Sequence, residues 1–345
     1  MSIGLPFNLL FQIQKLAQNS YLLPRVVLGL LPEIRAMTAR SSLPVCISAV
    51  RKLFSQINYP SLDSEATEFQ VDGVIELLKE NEQSFKTNAL LLEYPGFQGR
   101  SENVAVIHRA KFSPTGVFLY GPEPESNNRI LRKYPDHHEY FLRVQFCDED
   151  GQPIRYGGRA SNDRILNGRF TQVLKNGINI AGRIYAFLGF SNSSLRAQSC
   201  WFMAPFVYKD SLIYDHMLIA DLGDFSVIRC PAKCAARIGQ TFSDTPNSVA
   251  INPAIVFEIP DVKVKSTDEV TRVFSDGVGT MSKSVMYKIW DRLSRAGAKP
   301  TVFQIRYSGT FTKHTRATLQ ICLDLPAGLT PLGVSKTMVA IFQFE

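Results

Sequence analysis

Basic residues set among small and aromatic ones are the most chemically suggestive feature of this 345-residue chain. Arg129-Ile-Leu-Arg-Lys133, Ser194-Leu-Arg196, Lys233, Arg237, Arg272, Lys283, Lys288 and Arg306 all follow that pattern. Such cations bind phosphate oxygens where glycine or serine lets a nucleic-acid backbone come close. At any single position a solvated surface charge is the plainer reading. The acidic residues offer less. Metal-assisted phosphoryl chemistry needs carboxylates clustered around one or two divalent cations. Asp148-Glu149-Asp150-Gly151 reads as half of an acidic metal loop or, more simply, as a polar hairpin turn built on Asp-Gly. Asp221-Leu-Gly-Asp224 poses the same choice more weakly. Ser275-Asp276-Gly277-Val278-Gly279 resembles a glycine-rich loop whose N–H groups cradle phosphate, with a plain strand-to-helix turn as the simpler account.

Several chemistries are absent. No Gly-x-x-x-x-Gly-Lys-Ser/Thr loop and no Gly-x-Ser-x-Gly elbow occurs, and no His/Asp arrangement singles out a nucleophile. The six cysteines (46, 147, 200, 230, 234 and 322) contain no Cys-x-x-Cys pair. Cys230 and Cys234 can share a helix face, but no two further ligands stand at zinc spacing, so no metal is expected. Reduced thiols in an intracellular protein, cytoplasmic or nuclear, are the default. The N-terminal stretch lacks a basic start and is interrupted by Asn8, Gln12 and Gln14, so it reads as neither signal peptide nor membrane span. No membrane partner is expected.

The elements that would position these residues fall into three textures. Phe7, Leu10, Phe11 and Leu16, then Val26, Val27, Leu30 and Leu31, predict helices over residues 5–58, divided at Pro24 and Pro32. Val71–Leu78 predicts another short helix. From about Leu90, Val104–Ile107, Gly116–Tyr120, Tyr140–Phe146, Arg183–Phe190 and Cys200–Phe206 read as strands, with Trp201 as a core anchor. Gly121-Pro122 and Asp150-Gly151 mark turns. Beyond Cys230, Ala232–Ile238 predicts a helix capped at Gly239, and Ser282–Arg295 a helix started by Ser282 and stopped at Gly297. Strands are expected beside it at Val270–Phe274 and Val302–Tyr307.

With 45% hydrophobic and 20% charged residues, the composition is that of a globular chain of roughly two domains. The formal charge is +7, and fourteen Lys/Arg against seven Asp/Glu between Arg229 and Gln320 account for all of it. A polyanion-facing surface is expected there.

Seven stretches carry a resemblance. They are LPFNLLFQIQKL at 5–16, GPEPESNNRILRKYP at 121–135, FLRVQFCDEDG at 141–151, GRIYAFLGFSNSSLRAQSCWFMAPF at 182–206, PAKCAARIGQTFSDT at 231–245, FSDGVGTMS at 274–282 and FQIRYSG at 303–309. In wording, order and spacing the chain resembles the eukaryotic cellular RNA-dependent RNA polymerases of RNA silencing, in a fungal-like form. The resemblance implies an enzyme that copies single-stranded RNA into double-stranded RNA for small interfering RNA production. It implies a mixed α+β, β-rich fold with a catalytic core of two double-psi β-barrels. The second barrel holds Mg2+ on an Asp-x-Asp-Gly-Asp loop, and the first faces nucleotide and RNA phosphates. The implied divisions are a helical N-terminal region over 1–88, a β-rich slab over 89–229, a partial first double-psi β-barrel over 230–309 and a divergent tail over 310–345. Lys233, Arg237 and Gln240 match a motif at the active-centre face, Asp276, Gly277 and Gly279 an active-centre turn, and Arg306 the arginine of FQIRYSG. Lys233, Arg237 and Arg306 are expected to contact phosphate, and Asp276 to organise its turn rather than bind metal. The implied partners are a single-stranded RNA template, nucleoside triphosphates and silencing-pathway proteins.

The sequence departs from the family twice. After FQIRYSG the family continues with Lys-Gly, where this chain reads Thr310-Phe-Thr-Lys-His314. No Asp-x-Asp-Gly-Asp occurs, so no catalytic residue is assigned and the chain is expected to be truncated before the second barrel. Phe311–Glu345 is expected to be a non-native continuation covering an exposed edge. The alternatives are a non-catalytic RNA-binding paralogue or fragment, and a structural β-rich interaction protein with an incidental basic face.

Overall fold

Helical apolar spacing at the start of the chain becomes three consecutive helices in the computed structural model, α1 (Phe7–Gln18), α2 (Pro24–Arg40) and α3 (Leu43–Gln56), followed by α4 (Val71–Thr87). The structure describes residues 4–57, 70–88, 104–154, 165–242, 249, 263–265, 271–273, 278–292, 302–305 and 319–323. Leu9, Ile13 and Leu16 of α1 pack with Leu30 and Ile34 of α2, Val50 and Leu53 of α3, and Val74 and Leu78 of α4 in one buried cluster. Pro24 begins α2 as predicted, but Pro32 lies inside it. The lost N–H frees the carbonyl of Leu28, and both Leu28 and Pro32 are on the exposed side, where water replaces the bond. The break comes instead at Ser41-Ser42, with Pro44 in the first turn of α3. The predicted helix Val71–Leu78 runs on to Thr87 because its buried face changes from Val74 and Leu78 to the polar Asn81 and Glu82.

A six-stranded sheet follows, built from β1 (Val104–Phe112), β2 (Val117–Ser126), β3 (Phe141–Phe146), β4 (Ile178–Ile180), β5 (Arg183–Gly189) and β6 (Ser199–Met203). Its order is β2-β1-β3-β6-β5-β4. Only β1 and β3 are parallel, and the chain between β2 and β3 carries the short helix α5 (Arg129–Lys133). Alternation along the strands fills two cores. Leu142, Val144, Cys200 and Phe202 face one, where Phe7 and Phe11 of α1 also pack. Phe141, Trp201 and Met203 face the other, with Ile130 and Leu131 of α5. Helix α1 is therefore shared between the helical cluster and the sheet.

Gly121-Pro122, predicted as a turn, lies inside β2. Pairing runs Ile107 to Glu123 and then Arg109 to Tyr120, so two residues of β2 stand opposite His108. The bulge needs glycine: Gly121 has φ +90°, and a Cβ there would come 2.9 Å from the carbonyl oxygen of Ile107. Asp150-Gly151 is a turn as predicted.

Residues 165–176 form a π-helical turn leading into α6 (Thr171–Asn176), and α7 (Asn192–Arg196) joins β5 to β6. Beyond the sheet come the hairpin β7 (Phe206–Tyr208) and β8 (Ser211–Ile213), then α8 (Asp215–Leu222) and α9 (Pro231–Gly239), closed by a 3-10 turn at Gln240–Phe242. The chain divides into two compact units, Met1–Asp244 and Thr245–Glu345.

In the second unit, β9 (Lys263–Lys265) pairs antiparallel with β10 (Thr271–Val273). A three-stranded sheet has the order β11 (Val278–Met281), β13 (Leu319–Leu323), β12 (Val302–Ile305), and α10 (Lys283–Arg292) follows β11. Val285 and Ile289 are buried and Ser282 Oγ accepts from Val285 N, as the helical spacing and the cap predict. Leu293 and Gly297 lie outside the described residues. Leu319–Leu323, in the segment expected to diverge from the family pattern, is the central strand of this sheet. The architecture is mixed α+β.

Candidate functional site

Helix α9 presents the predicted basic pair. Pro231 occupies its first turn, where no N–H is needed, and Lys233 and Arg237 stand one turn apart on the same side. Lys233 is exposed and Arg237 half-buried. Gln240 begins the 3-10 turn that continues the helix without a break. The helix predicted to stop at Gly239 includes that residue, and Gln240 after it keeps helical angles, φ −62° and ψ −27°. Its glycine serves contact instead: a Cβ would run into the carbonyl oxygen of Phe190. Three residues on, Phe242 is buried with its ring stacked on Trp201 at 6.5 Å, and Gly189 leaves room for that ring. The C-terminal end of α9 is thus anchored in the sheet core, while its first turn remains at the surface.

The loop under this anchor is held by its own hydroxyls. Ser191 caps α7, its Oγ accepting from Ser194 N at 3.1 Å, and Ser199 Oγ donates to Ser194 O at 3.1 Å. The short helix then exposes Ser193, Leu195 and Arg196. Sequence reading noticed Arg196 but missed the serines, whose pattern Ser-Asn-Ser-Ser ahead of Leu is a capping signal.

Two basic candidates of α5 have partners in the fold itself. Asn128 caps α5, accepting from the N–H groups of Ile130 and Leu131. Within α5, Arg132 donates to Asn127 O at 2.6 Å and Lys133 pairs with Asp221. Gly279 lies in β11, opposite Ile321 of β13. Asp276, Gly277 and Arg306 lie outside the described residues. The structure brings Lys233, Arg237 and Gln240 into one continuous helical segment of the first unit.

The acidic candidates have structural partners. Glu149 accepts from Ser113 Oγ and from Thr115 N, both at 2.7 Å, which holds its carboxyl below the usual range against the opposing effect of burial. Asp150 accepts from Gln152 N at 2.9 Å, closing the turn. Asp224 likewise accepts from Ser226 N at 2.9 Å, which lowers its pKa. Among the described residues no group of three or more His, Cys, Asp or Glu can hold a metal ion. No helix among them is long and apolar enough to cross a membrane.

Comparison with known proteins agrees with the sequence pattern. A family model described as RNA dependent RNA polymerase matches residues 112–310. RNA-dependent RNA polymerase 1 of Arabidopsis thaliana is 37% identical over 214 residues, covering 60% of this chain and 19% of that protein. RNA-dependent RNA polymerase 2 of the same plant is 27% identical over 322 residues, covering 90% and 27%. RNA-dependent RNA polymerase 1 of Schizosaccharomyces pombe is 33% identical over 207 residues, covering 59% and 16%. The chain therefore spans about a quarter or less of the length of these curated relatives. Among solved structures, RNA dependent RNA polymerase QDE-1 from Thielavia terrestris superposes with a TM-score of 0.51 at 14% identity, over 97% of this chain and 34% of that one. At that identity the likeness speaks for the fold alone.

Proposed function

The chain belongs to the RNA dependent RNA polymerase family, and from that premise we propose that it is part of an RNA-directed RNA polymerase of RNA silencing, which copies single-stranded RNA into double-stranded RNA for small interfering RNA production. In this reading Lys233 and Arg237 contact phosphate oxygens of the template or of nucleoside triphosphates, Gln240 completes that face, and Arg306 adds a further guanidinium. Asp276 and Gly277 form the active-centre turn of the second unit in this reading, with Gly279 in the strand β11 that follows. The observation that carries the reading is the anchored helix: α9 sets an exposed Lys233 and a half-buried Arg237 one turn apart on one side while Gly239 and Phe242 fix its far end.

A complete enzyme of this family would use Mg2+, but the described carboxylates do not fit that ion. Glu149, Asp150 and Asp224 are taken up by turn hydrogen bonds, and Asp221 by Lys133. The contribution derived for this chain is binding and positioning, and no catalytic step is assigned to it. The same observation supports a second reading, a non-catalytic RNA-binding paralogue or fragment. Silencing-pathway proteins are further partners in either case. Buried free thiols at Cys46, Cys147 and Cys200 suit a reducing interior, nucleus or cytoplasm.

The test is binding of single-stranded RNA between about 50 and 200 mM salt. Affinity should fall with a slope of about −0.7 per neutralised phosphate. Lys233→Ala, Arg237→Ala and Arg306→Ala together should flatten it, and an unchanged slope removes them as contacts. Template-dependent incorporation with Mg2+ present favours the polymerase reading for the chain itself. Binding without incorporation favours the second.

A further inference from the structure

Helix α9 also places two thiols beside Lys233. Cys230 is the residue before its first turn and is exposed, and Cys234 is half-buried one turn on. The amide of Cys234 donates to the carbonyl of Cys230 at 2.9 Å, the bond that starts the helix. The other described thiols are different. Cys46, Cys147 and Cys200 are buried, and burial pushes the Cys46 thiol up to about 11 and the Cys200 thiol up to about 12. They are correspondingly poor nucleophiles.

We propose that Cys230 and Cys234 form an oxidant-sensitive dithiol, closed to a disulfide by a hydroperoxide, whose closure loosens the first turn of α9. Within a helix, positions one turn apart hold their Cβ atoms about 5–6 Å apart, whereas a disulfide needs about 3.5–4.5 Å, and Cys230, at the N-cap, is the member of the pair not held to helical angles. Closure therefore requires the first turn to shift, and three features make the shift easy. Cys230 is outside the helix, with φ −88° and ψ 115°, so its backbone can turn. Its side chain makes no capping hydrogen bond. Pro231 has no N–H, so a turn on its N-terminal side breaks no bond donated there, and the bond from Cys234 to Cys230 is the first loss.

The chemistry balances with the peroxide as oxidant. The Cys230 thiolate attacks one peroxide oxygen, the O–O bond breaks, and a sulfenic acid forms with loss of water or alcohol. The Cys234 thiolate then attacks that sulfur, the S–S bond forms, the S–O bond breaks, and the hydroxide leaves as water. Two thiols are oxidised by two electrons and one peroxide is reduced. The cation displaced is Lys233, which stands between the two sulfurs in sequence; the consequence for RNA rests on the phosphate-binding reading above.

The experiment treats the full chain at low concentration with hydrogen peroxide, blocks remaining thiols, and digests with trypsin under denaturing conditions. Cleavage after Arg229, Lys233 and Arg237 separates Cys230–Lys233 from Cys234–Arg237. The expected product is these two peptides joined, lighter than their sum by two hydrogens. In Cys234→Ser, dimedone should trap a sulfenic acid on Cys230 instead. Recovery of both peptides with blocked thiols, or joined to other cysteines, overturns the proposal. Binding of a single-stranded RNA is measured on the same oxidised sample as a separate arm. A several-fold loss of affinity, reversed by dithiothreitol, is expected. Joined peptides with unchanged affinity uphold the dithiol and remove Lys233 from the RNA interface.

Discussion

Gly239 approaches the carbonyl of Phe190 so closely that no side chain fits between them. In an ordinary helix, exchanging glycine for alanine is stabilising by up to about 1 kcal/mol. Here the sign should reverse, because the obstacle is backbone and cannot rotate aside. Gly239→Ala is expected to lose about 1–3 kcal/mol, the usual range for overpacking, and to weaken RNA binding by moving the Lys233–Arg237 face. Thermal unfolding reads the first and a binding titration the second. A variant as stable as the parent would show that the contact does not anchor α9.

Asn19 and Leu119 exchange two hydrogen bonds of 2.8 Å each, the side-chain amide pairing with the free edge of β2 as a further strand would. Asn19 is buried, so its removal strands both a donor and an acceptor on Leu119. Asn19→Ala should cost about 2–6 kcal/mol, from about 1–3 for each buried group left unpaired. Asn19→Asp should be no better, since it replaces the donor with a second acceptor facing the Leu119 carbonyl. Denaturant midpoints for the two variants decide this.

That pairing marks where sequence reading runs out. Apolar periodicity is legible in α1 to α3 and in the strands, because burial of Leu9, Ile13, Trp201 and Phe202 dictates residue type. Polar residues that join distant segments leave no periodic trace. Asn8, Gln12 and Gln14 counted as interruptions of an apolar stretch, yet they bond to Glu139, Gly121 and Ala181 across the sheet. Asn81 and Glu82 extended α4 past the point where its apolar pattern ended for the same reason. In the candidate site, Lys233 and Arg237 stood out through the resemblance of PAKCAARIGQ to the family, since charge alone reads equally well as a solvated surface. The part played by Gly239 was not legible, because a close approach to Phe190 depends on a partner far away in sequence.

Glu82 separates strong ion pairs from weak ones. It is buried, accepts from Arg40 at 2.6 Å and from Lys86 at 2.9 Å, and is also bound by Ser41. Lys79 reaches Glu33 only at 3.9 Å with its side chain 56% exposed. Lys79→Ala should change stability by no more than about 0.5 kcal/mol. Arg40→Ala should cost about 1–3 kcal/mol, since a buried carboxylate loses its principal hydrogen-bond donors. Equal effects from the two variants would contradict this ranking.

His108 supplies a pH dependence that can be isolated from that of Glu82. It is 2% exposed, in van der Waals contact with the rings of Phe7 and Phe11, and neither ring nitrogen has a hydrogen-bond partner among the described residues. Burial, with the positive charges of Arg183 and Lys15, pushes its pKa down to about 3. Unfolded, the imidazole takes up a proton near pH 6.5. The unfolded state therefore binds more protons between about pH 6.5 and 3, and stability falls as pH drops through that window by up to about 1.4 kcal/mol per unit. Glu82 acts lower. Burial opposes its ionisation, but the hydrogen bonds from Arg40, Ser41 and Lys86 hold it down to about 2. Its contribution is present above about 4.5, the ordinary glutamate range, and is lost only below it. The interval from about 6.5 to 4.5 consequently belongs to His108 as far as these two groups are concerned. His108→Phe removes both unpaired nitrogens and should flatten the stability curve in that interval, while Glu82→Gln should leave it sloped. Urea midpoints at pH 7, 6 and 5 make the comparison, and a slope that survives in His108→Phe would place its origin elsewhere.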